Sequence, residues 1–474
     1  MSALARCALC PRASAADTAS SSSPPPRRDY AALFERGRNG GVPPLFLAPM
    51  EGLGDRRLRR ALAFSTGGFD EACREFTRVP GVLSQGARPE KLLRGIALTG
   101  YDADELTDWT KFAWNEWDQD ALGTPPPTSR APNLLAAQLM GSNEELLERC
   151  ARFLANEGGA PRVDLNCGCP ANVVTGKGAG SSLLRDPRDV ESCAAAVARG
   201  VAGTGCAVTV KLRSGFDDRG LLRDNLLAAQ EGGAEFITLH PRTRAQGYSG
   251  RADWDDIAFA ADLLHIPVVG NGDVTSASLA AKMVRETGCA GVMIGRGAVQ
   301  DPLVFRRCLA ALSDDSFRTG NSTCEDQWDM SVEEEAEAIR GFLRRFADEV
   351  FGEAERQEKD GKRRRRRGRS VSEDCERFKV GKLKQVCKYL FAGNDALLPH
   401  VSTVLGMEVD LARGVDAAKL LRDVETLVSE RWAPPNEVLV DAFSMRTSYQ
   451  DSADAAEVAG RTAETGVGKD IVRT

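Results

Sequence analysis

Seven polar residues, Gln138, Asn166, Lys211, Arg213, His240, Asn271 and Arg296, each stand at or near the C-terminal end of a run that is otherwise apolar. Any one of them is explained as a polar residue closing a strand; seven, drawn from six runs, point to a shared rim and a bound cofactor. Two of the runs end in glycine turns, Gly270-Asn271-Gly272-Asp273 and Gly295-Arg296-Gly297, each ahead of a helical pattern. Glycine lets backbone N–H groups approach an anion, a helix start adds a favourable dipole, and the Arg296 guanidinium can clamp a phosphate through two parallel hydrogen bonds. The chain has no GxGxxG after its first strand and no GxxxxGK[ST], which disfavours a dinucleotide on a Rossmann turn or a P-loop triphosphate. A mononucleotide phosphate fits better, and FMN is the obvious candidate. Cys167 and Cys169 form a CxC, but without a second Cys or His pair nearby that spacing is weak evidence for zinc.

The elements that must position these groups follow from hydrophobic periodicity. Eight short apolar runs are read as strands: Leu45–Met50, Glu71–Phe76, Leu134–Leu139, Val163–Asn166, Val208–Arg213, Phe236–His240, Pro267–Asn271 and Gly291–Arg296. Stretches such as Glu144–Asn156 and Ser276–Thr287 return apolar residues every three or four positions, the helical period. Strand and helix in alternation imply a parallel sheet, and eight such units fit a closed (β/α)8 TIM barrel, whose catalytic face is the C-terminal end of the strands. The second run is the weakest, because EACREF carries three charges.

The motifs, taken in order, resemble the signature of the tRNA-dihydrouridine synthase family. They are APMEG (Ala48 to Gly52), DLNCGCP (Asp164 to Pro170) followed by GKGAGSSLL, VKLR (Val210 to Arg213), HPRTRAQGYSGRADW (His240 to Trp254), GNGD, and IGRGA (Ile294 to Ala298). The resemblance covers roughly residues 44 to 312 and resumes around 380 to 391; APMEG, NCGCP and KLKQ are most similar to the bacterial branch that modifies position sixteen of the D-loop. It implies an α/β chain with an FMN-binding TIM barrel and a smaller C-terminal all-helical domain. It also implies reduction of the C5–C6 double bond of uridine in tRNA, with NADPH or NADH as reductant. Cys169 would be the proton donor, a role suited to a thiol that titrates near about 8.5 and so is mostly protonated at neutral pH. By the same resemblance Pro49, Met50 and Glu51 line the flavin and Gln138 bonds the edge of its pyrimidine ring. Lys211 faces the N1–C2=O locus, where reduced flavin collects negative charge. His240, Asn271, Gly272, Asp273, Gly295 and Arg296 hold the ribityl phosphate, and Asn166 and Arg213 hold the substrate uracil.

The rest of the chain bounds this reading. With 474 residues, 42% of them hydrophobic, it can bury a core larger than one typical domain. A net charge of −6 means that an RNA surface must come from local basic clusters. One candidate is FKVGKLKQVCKYLF (Phe378 to Phe391), an amphipathic helix with Lys379, Lys382, Lys384 and Lys388 beside its apolar stripe, expected to open a helical tRNA-binding domain over 378–432. Thirteen cysteines without regular pairing, and no apolar run near the roughly 18 residues of a membrane span, fit a reducing compartment and no membrane partner. No protein partner is implied.

Residues 1–43 are expected to form a disordered extension; its first 28 residues, rich in Ala, Ser, Pro and Arg, also resemble an organellar transit peptide. The chain is therefore expected in the cytoplasm, or in a plastid or mitochondrion if that segment is a targeting signal. Residues 86–132 are expected to be an insertion in a barrel over 44–312, residues 313–377 a charged low-complexity insertion, and 433–474 a disordered tail. Two other readings remain: an FMN barrel acting on a free pyrimidine or small enone, and an RNA-binding protein that has lost catalysis.

Overall fold

A computed structural model of the chain describes residues 28–83, 89–106, 135–170, 178–313, 328–359 and 371–435. Among the described residues nine strands run parallel: β1 (Leu45–Leu47), β2 (Glu71–Cys73), β3 (Thr77–Arg78), β4 (Leu135–Met140), β5 (Arg162–Cys167), β6 (Ala207–Gly215), β7 (Phe236–Thr243), β8 (Val268–Asn271) and β9 (Gly291–Ile294). Eight of them close in the order β1-β2-β4-β5-β6-β7-β8-β9, with β9 returning to β1 through Leu45↔Val292 to Leu47↔Ile294. The short β3 extends the rim beside Leu139 and Met140 of β4. The fold is thus the TIM barrel that the alternating pattern predicts, with a helical C-terminal region.

Alternate residues of a strand point to opposite sides of the sheet, as a pleated strand requires. Leu45, Leu47, Val163, Leu165, Val208, Val210, Leu239 and Ile294 face outward and join the layer between strands and helices. Phe46, Phe236, Val269 and Met293 face inward, and there they meet Tyr30 and Phe34 of α1 (Tyr30–Arg38). Phe34 and Phe236 pack edge to face at 5.1 Å, so α1 stoppers the floor of the barrel with aromatic rings. Residues 30–38 therefore depart from the expected disordered extension, because Tyr30 and Phe34 have apolar partners only the closed barrel supplies. Of that extension, residues 1–27 lie outside the described residues.

The barrel helices are α2 (Arg56–Ser65), α3 (Pro89–Leu98), α4 (Glu144–Asn156), α5 (Pro187–Val201), α6 (Leu222–Glu231), α7 (Asp255–Leu263), α8 (Ala277–Thr287), α9 (Gly297–Gln300) and α10 (Val304–Leu312). α4 shows why its sequence folds where it does. Asn143 caps it by accepting from Leu146 N, Glu144 and Glu145 answer the positive end of the dipole, and Leu146, Leu147, Cys150, Leu154 and Ala155 form the buried stripe. Replacing a fully buried leucine such as Leu147 by alanine there would cost about 2–5 kcal/mol. α3 falls inside the segment read as an insertion; it is instead a barrel helix packed on α4. Most of the remaining insertion, residues 86–88 and 107–132, lies outside the described residues.

α11 (Val332–Lys359), α12 (Val371–Ala392), α13 (Val401–Gly406) and α14 (Ala417–Arg431) build the helical region. It therefore starts well before residue 378: α11 lies in the segment read as low-complexity, and its Ile339, Phe342, Leu343, Ala347 and Val350 are fully buried. The basic tract at residues 362–369 and the tail from residue 436 lie outside the described residues. The region docks on α2 through Arg57 on Glu353 (2.7 and 2.8 Å) and Arg60 on Glu349 (2.7 Å).

The lysines of α12 do not form the exposed basic row that the sequence pattern predicts. Lys384 and Lys388 are 3% and 1% exposed, Lys384 Nζ donates to the Leu405 carbonyl at 2.7 Å, and Lys382 and Lys379 pair with Asp55 and Glu376. An ammonium with a carbonyl or carboxylate partner in reach can be turned inward, and α12 is enclosed by α11, α13 and α14.

Candidate active site

Two adjoining hollows occupy the C-terminal mouth of the barrel. The smaller, about 600 Å³, is bounded by Pro49 and Met50 after β1, Lys211, His240, the turn Asn271 to Thr275, and Gly295 to Gly297. The larger, about 1450 Å³ and open to solvent, shares Pro49, Met50, Lys211, His240, Tyr248 and Arg296 with it and adds Cys169, Asn166, Arg213 and Glu51. Gln385 and Tyr389 of α12 complete its wall, so the helical region forms one side of the site.

Charge dominates the side built from β6 to β9. Burial, reinforced by the neighbouring Arg213, pulls the Lys211 ammonium down to about 8, and its Nζ donates to Asn271 Oδ1 at 3.0 Å. Asn271 is oriented in turn by donating Nδ2 to the Met293 carbonyl at 2.8 Å. His240 is buried among Arg213, Lys211, Arg242 and Arg296; desolvation first and these cations second hold its pKa well below the ordinary value, so the ring is neutral.

The turn after β8 is tightly specified. Gly272 has φ +112°, and a Cβ there would lie 2.9 Å from His240 Cδ2. The Gly272 carbonyl accepts from Trp254 Nε1 at 3.2 Å. Asp273 has φ +57°, and its carboxylate is engaged by Arg242 Nη1 and Nη2 at 2.9 and 2.8 Å and by Ala252 N at 2.6 Å. Its side chain is therefore a brace for the loop, and its charge is answered within the protein.

The other side, on β4 and β5, is built from amides. Asn166 Oδ1 accepts from the backbone N–H groups of Gly168 and Cys169 at 3.0 and 2.9 Å, while its Nδ2 donates to Gln138 Oε1 at 2.9 Å. Gln138 is fully buried and donates Nε2 to Asp164 at 2.6 Å; it does not line either hollow. The Cys169 thiol reaches the larger hollow, 3.9 Å from Glu51 Oε2, and Glu51 itself is paired with Arg78 at 2.6 Å. Cys167, one pleat away, is buried in the outer core, and desolvation drives its thiol well above the ordinary pKa. Arg213 lines the hollow beside Cys169, but Nε donates to Gly168 O at 2.9 Å and Nη1 to Thr243 O and Gly247 O at 3.1 and 2.7 Å, so it also ties two loops together. Tyr248 stands over the mouth, with the Arg213 and Arg296 guanidinium carbons 5.3 and 4.5 Å from its ring centre.

In sequence, residues 46–350 match the family "Dihydrouridine synthase (Dus)". The chain belongs to the dihydrouridine synthase family. It is 36% identical over 304 residues to a tRNA-dihydrouridine(16) synthase of Cupriavidus necator, covering 64% of this chain and 83% of that one. A second protein of that name, from Ralstonia nicotianae, is 38% identical over 264 residues, covering 56% and 72%. A probable tRNA-dihydrouridine synthase of Rhodobacter capsulatus is 33% identical over 307 residues, covering 64% and 82%. The first two names agree with the position-sixteen branch to which the motifs are most similar.

In this dihydrouridine synthase several participants are not singled out by the motif reading. Arg242 sits two residues after His240 in HPRTR, Tyr248 in QGYSG, and Asp164 opens DLNCGCP; each stands in a quoted motif, and no spacing rule marks it. Thr275 carries no local signal, and Gln385 and Tyr389 stand in the KLKQ helix without a site role assigned to them; closure of the barrel and docking of α12 bring all three to the mouth.

Proposed function

We propose that this chain is a tRNA-dihydrouridine synthase that reduces the C5–C6 bond of the uridine at position 16 of the D-loop. FMN is its resident cofactor, NADPH or NADH its reductant, and Cys169 its proton donor. One observation carries the reading: the Cys169 thiol, Lys211 and Arg296 open into a single hollow at the barrel mouth.

The smaller hollow fits a phosphorylated flavin on two counts. Thr275 Oγ1 is buried on its wall without a hydrogen-bond partner among the described residues, an atom that a phosphate oxygen can satisfy. The Gly272 turn, packed on His240, also leaves room for an anion only where no side chain stands. Asn271, Gly272, Gly295, Arg296 and neutral His240 would hold the phosphate, with Asp273 contributing backbone alone. Lys211 would face the N1–C2=O edge, and Pro49 and Met50 would flank the ring. When bound and reduced, FMN supplies the hydride for one carbon of the C5–C6 bond.

The chain's own groups do the rest. A uridine must leave its stack to reach the site, and the open hollow gives it entry. Arg213 and Asn166, beside the thiol, form the wall that the carbonyl-bearing edge of uracil meets. Cys169 delivers its proton to the second carbon, and the thiolate is reprotonated from solvent through the open side of the hollow.

The test is purified protein with FMN, NADPH and unmodified tRNA, with dihydrouridine mapped by position, and the same assay on free uridine. Product at position 16 and none from free uridine is expected; turnover of free uridine alone would replace this reading with a small-molecule reductase. Cys169→Ala should keep the yellow flavin and lose activity by a factor on the order of 10²–10⁴, the usual worth of a positioned general acid. Full activity in that variant would remove Cys169 from the mechanism.

A further inference from the structure

Asp164 lies below the rim and outside both hollows, yet it is the fixed end of a hydrogen-bonded series that finishes at the Cys169 backbone. We infer that Asp164 is a positioning residue, which sets the orientation of the Gln138 and Asn166 amides and through them the placement of the Cys169 thiol. The inference rests on the proposed role of Cys169.

The order of donors and acceptors fixes the series. Arg162 Nη1 donates to Asp164 Oδ1 at 3.2 Å and to Thr209 Oγ1 at 2.6 Å, and Thr209 in turn donates to Asp164 Oδ1 at 2.5 Å. Arg162 has no acceptor atom, so Thr209 must accept there and donate onward, and Asp164 can only receive. The second oxygen, Oδ2, then demands a donor, which fixes Gln138 with Nε2 toward it at 2.6 Å and Oε1 away. Gln138 Oε1 demands a donor in turn, which fixes Asn166 with Nδ2 toward it at 2.9 Å. Asn166 is left presenting Oδ1 to the N–H groups of Gly168 and Cys169. An amide is nearly symmetric in shape, so packing alone would leave either amide free to turn over; the order of donors from Arg162 removes that freedom. Arg162 cannot shift, since its Nε and Nη2 are held at 2.9 and 2.7 Å by Glu71 Oε1, and both side chains are fully buried.

The order can be reversed and restored. In Asp164→Asn, the Oδ1 must still face Arg162 and Thr209, so the new amide nitrogen faces Gln138. Gln138 then turns over, Asn166 follows, and an NH2 group confronts the two backbone N–H groups of the cysteine loop. Adding Gln138→Glu places a carboxylate between the introduced amide and Asn166 that accepts from both, and the original face of Asn166 returns at unchanged net charge.

The measurement is peptide-resolved alkylation of Cys169 by iodoacetamide in the folded protein without flavin, which needs no turnover. Asp164→Asn should alkylate about tenfold faster than the parent, the factor expected when two backbone hydrogen bonds are lost from the loop. The double variant should return to the parent rate. With tRNA, kcat of Asp164→Asn should fall about 100-fold, the size of effect that misplacement of a reacting group produces, with KM for tRNA little changed and kcat recovered in the double variant. A parent alkylation rate in folded Asp164→Asn, or a folded double variant that stays fast, overturns the inference. Should Asp164→Asn fail to fold, Gln138→Met cuts the same series while sparing the Arg162 pair; faster alkylation supports the inference and a parent rate overturns it. A parent enzyme inactive on tRNA that still shows the alkylation pattern would sink the proposed reaction and leave the positioning intact.

Discussion

On the β6–β9 side of the mouth, Lys211, Arg213, Arg242 and Arg296 surround a histidine kept neutral; on the β4–β5 side, a carboxylate and two amides lead to a thiol. The first side attracts an anion over a range of approach, since a field falls off slowly. The second exerts little field and transmits orientation, since each amide is useful one way round and useless the other. A reaction that must hold a charged cofactor and also aim one proton has use for both, and the barrel keeps them on separate strands.

That contrast can be broken at its foundation first. Arg162→Met leaves Glu71 and Asp164 buried without their cation and should lower stability by about 3–5 kcal/mol in a urea titration. An unchanged midpoint would mean that the amide side does not depend on the interior charge.

Gly272→Ala acts on the cationic side, where φ +112° and the approach to His240 should cost about 1–3 kcal/mol. The variant should also release FMN more readily on dialysis; tight retention would show that the turn is not the phosphate seat.

The smallest effect is in pH. Lys211 is pulled down to about 8 in the folded protein, so above that pH the ammonium is increasingly neutral and an anionic ligand must recruit a proton on binding. FMN affinity should hold below pH 8 and weaken above it by at most about tenfold per unit. Lys211→Met should flatten that dependence, and a parent profile in the variant would assign the titration elsewhere. For stability the sign is the reverse: the folded protein binds fewer protons at Lys211 than the unfolded chain between about 8 and the ordinary lysine value, so this residue makes stability rise with pH across that window.

How much could be read beforehand follows the same division. The rim residues at strand ends were legible because one polar residue closing an apolar run is a local event, and the glycine turns because φ > 0 and phosphate contact favour one residue type. Glu71 was opaque. A charge in EACREF weakens a strand assignment until Arg162, 91 positions later, is known to answer it. Lys382 and Lys384 of α12 misled for a related reason: their partners, Asp55 and the Leu405 carbonyl, are set by docking, whereas Lys379 pairs with Glu376 on its own helix. Gln138 was assigned to the flavin by the family resemblance, while its two bonds within the barrel interior depend on Asp164 and Asn166 of the next strand.

The aromatic stopper at the barrel floor limits how far the chain can be shortened from its front. Arg28 donates to the Asp70 carbonyl at 2.7 Å, and Tyr30 holds Glu71 by a hydrogen bond from its hydroxyl. A protease that removed the leading segment up to residue 27 would spare these anchors. One that cut about a dozen residues further in would unseat the Tyr30 and Phe34 rings and flood the lower end of the barrel, leaving the Glu71–Arg162 pair to water.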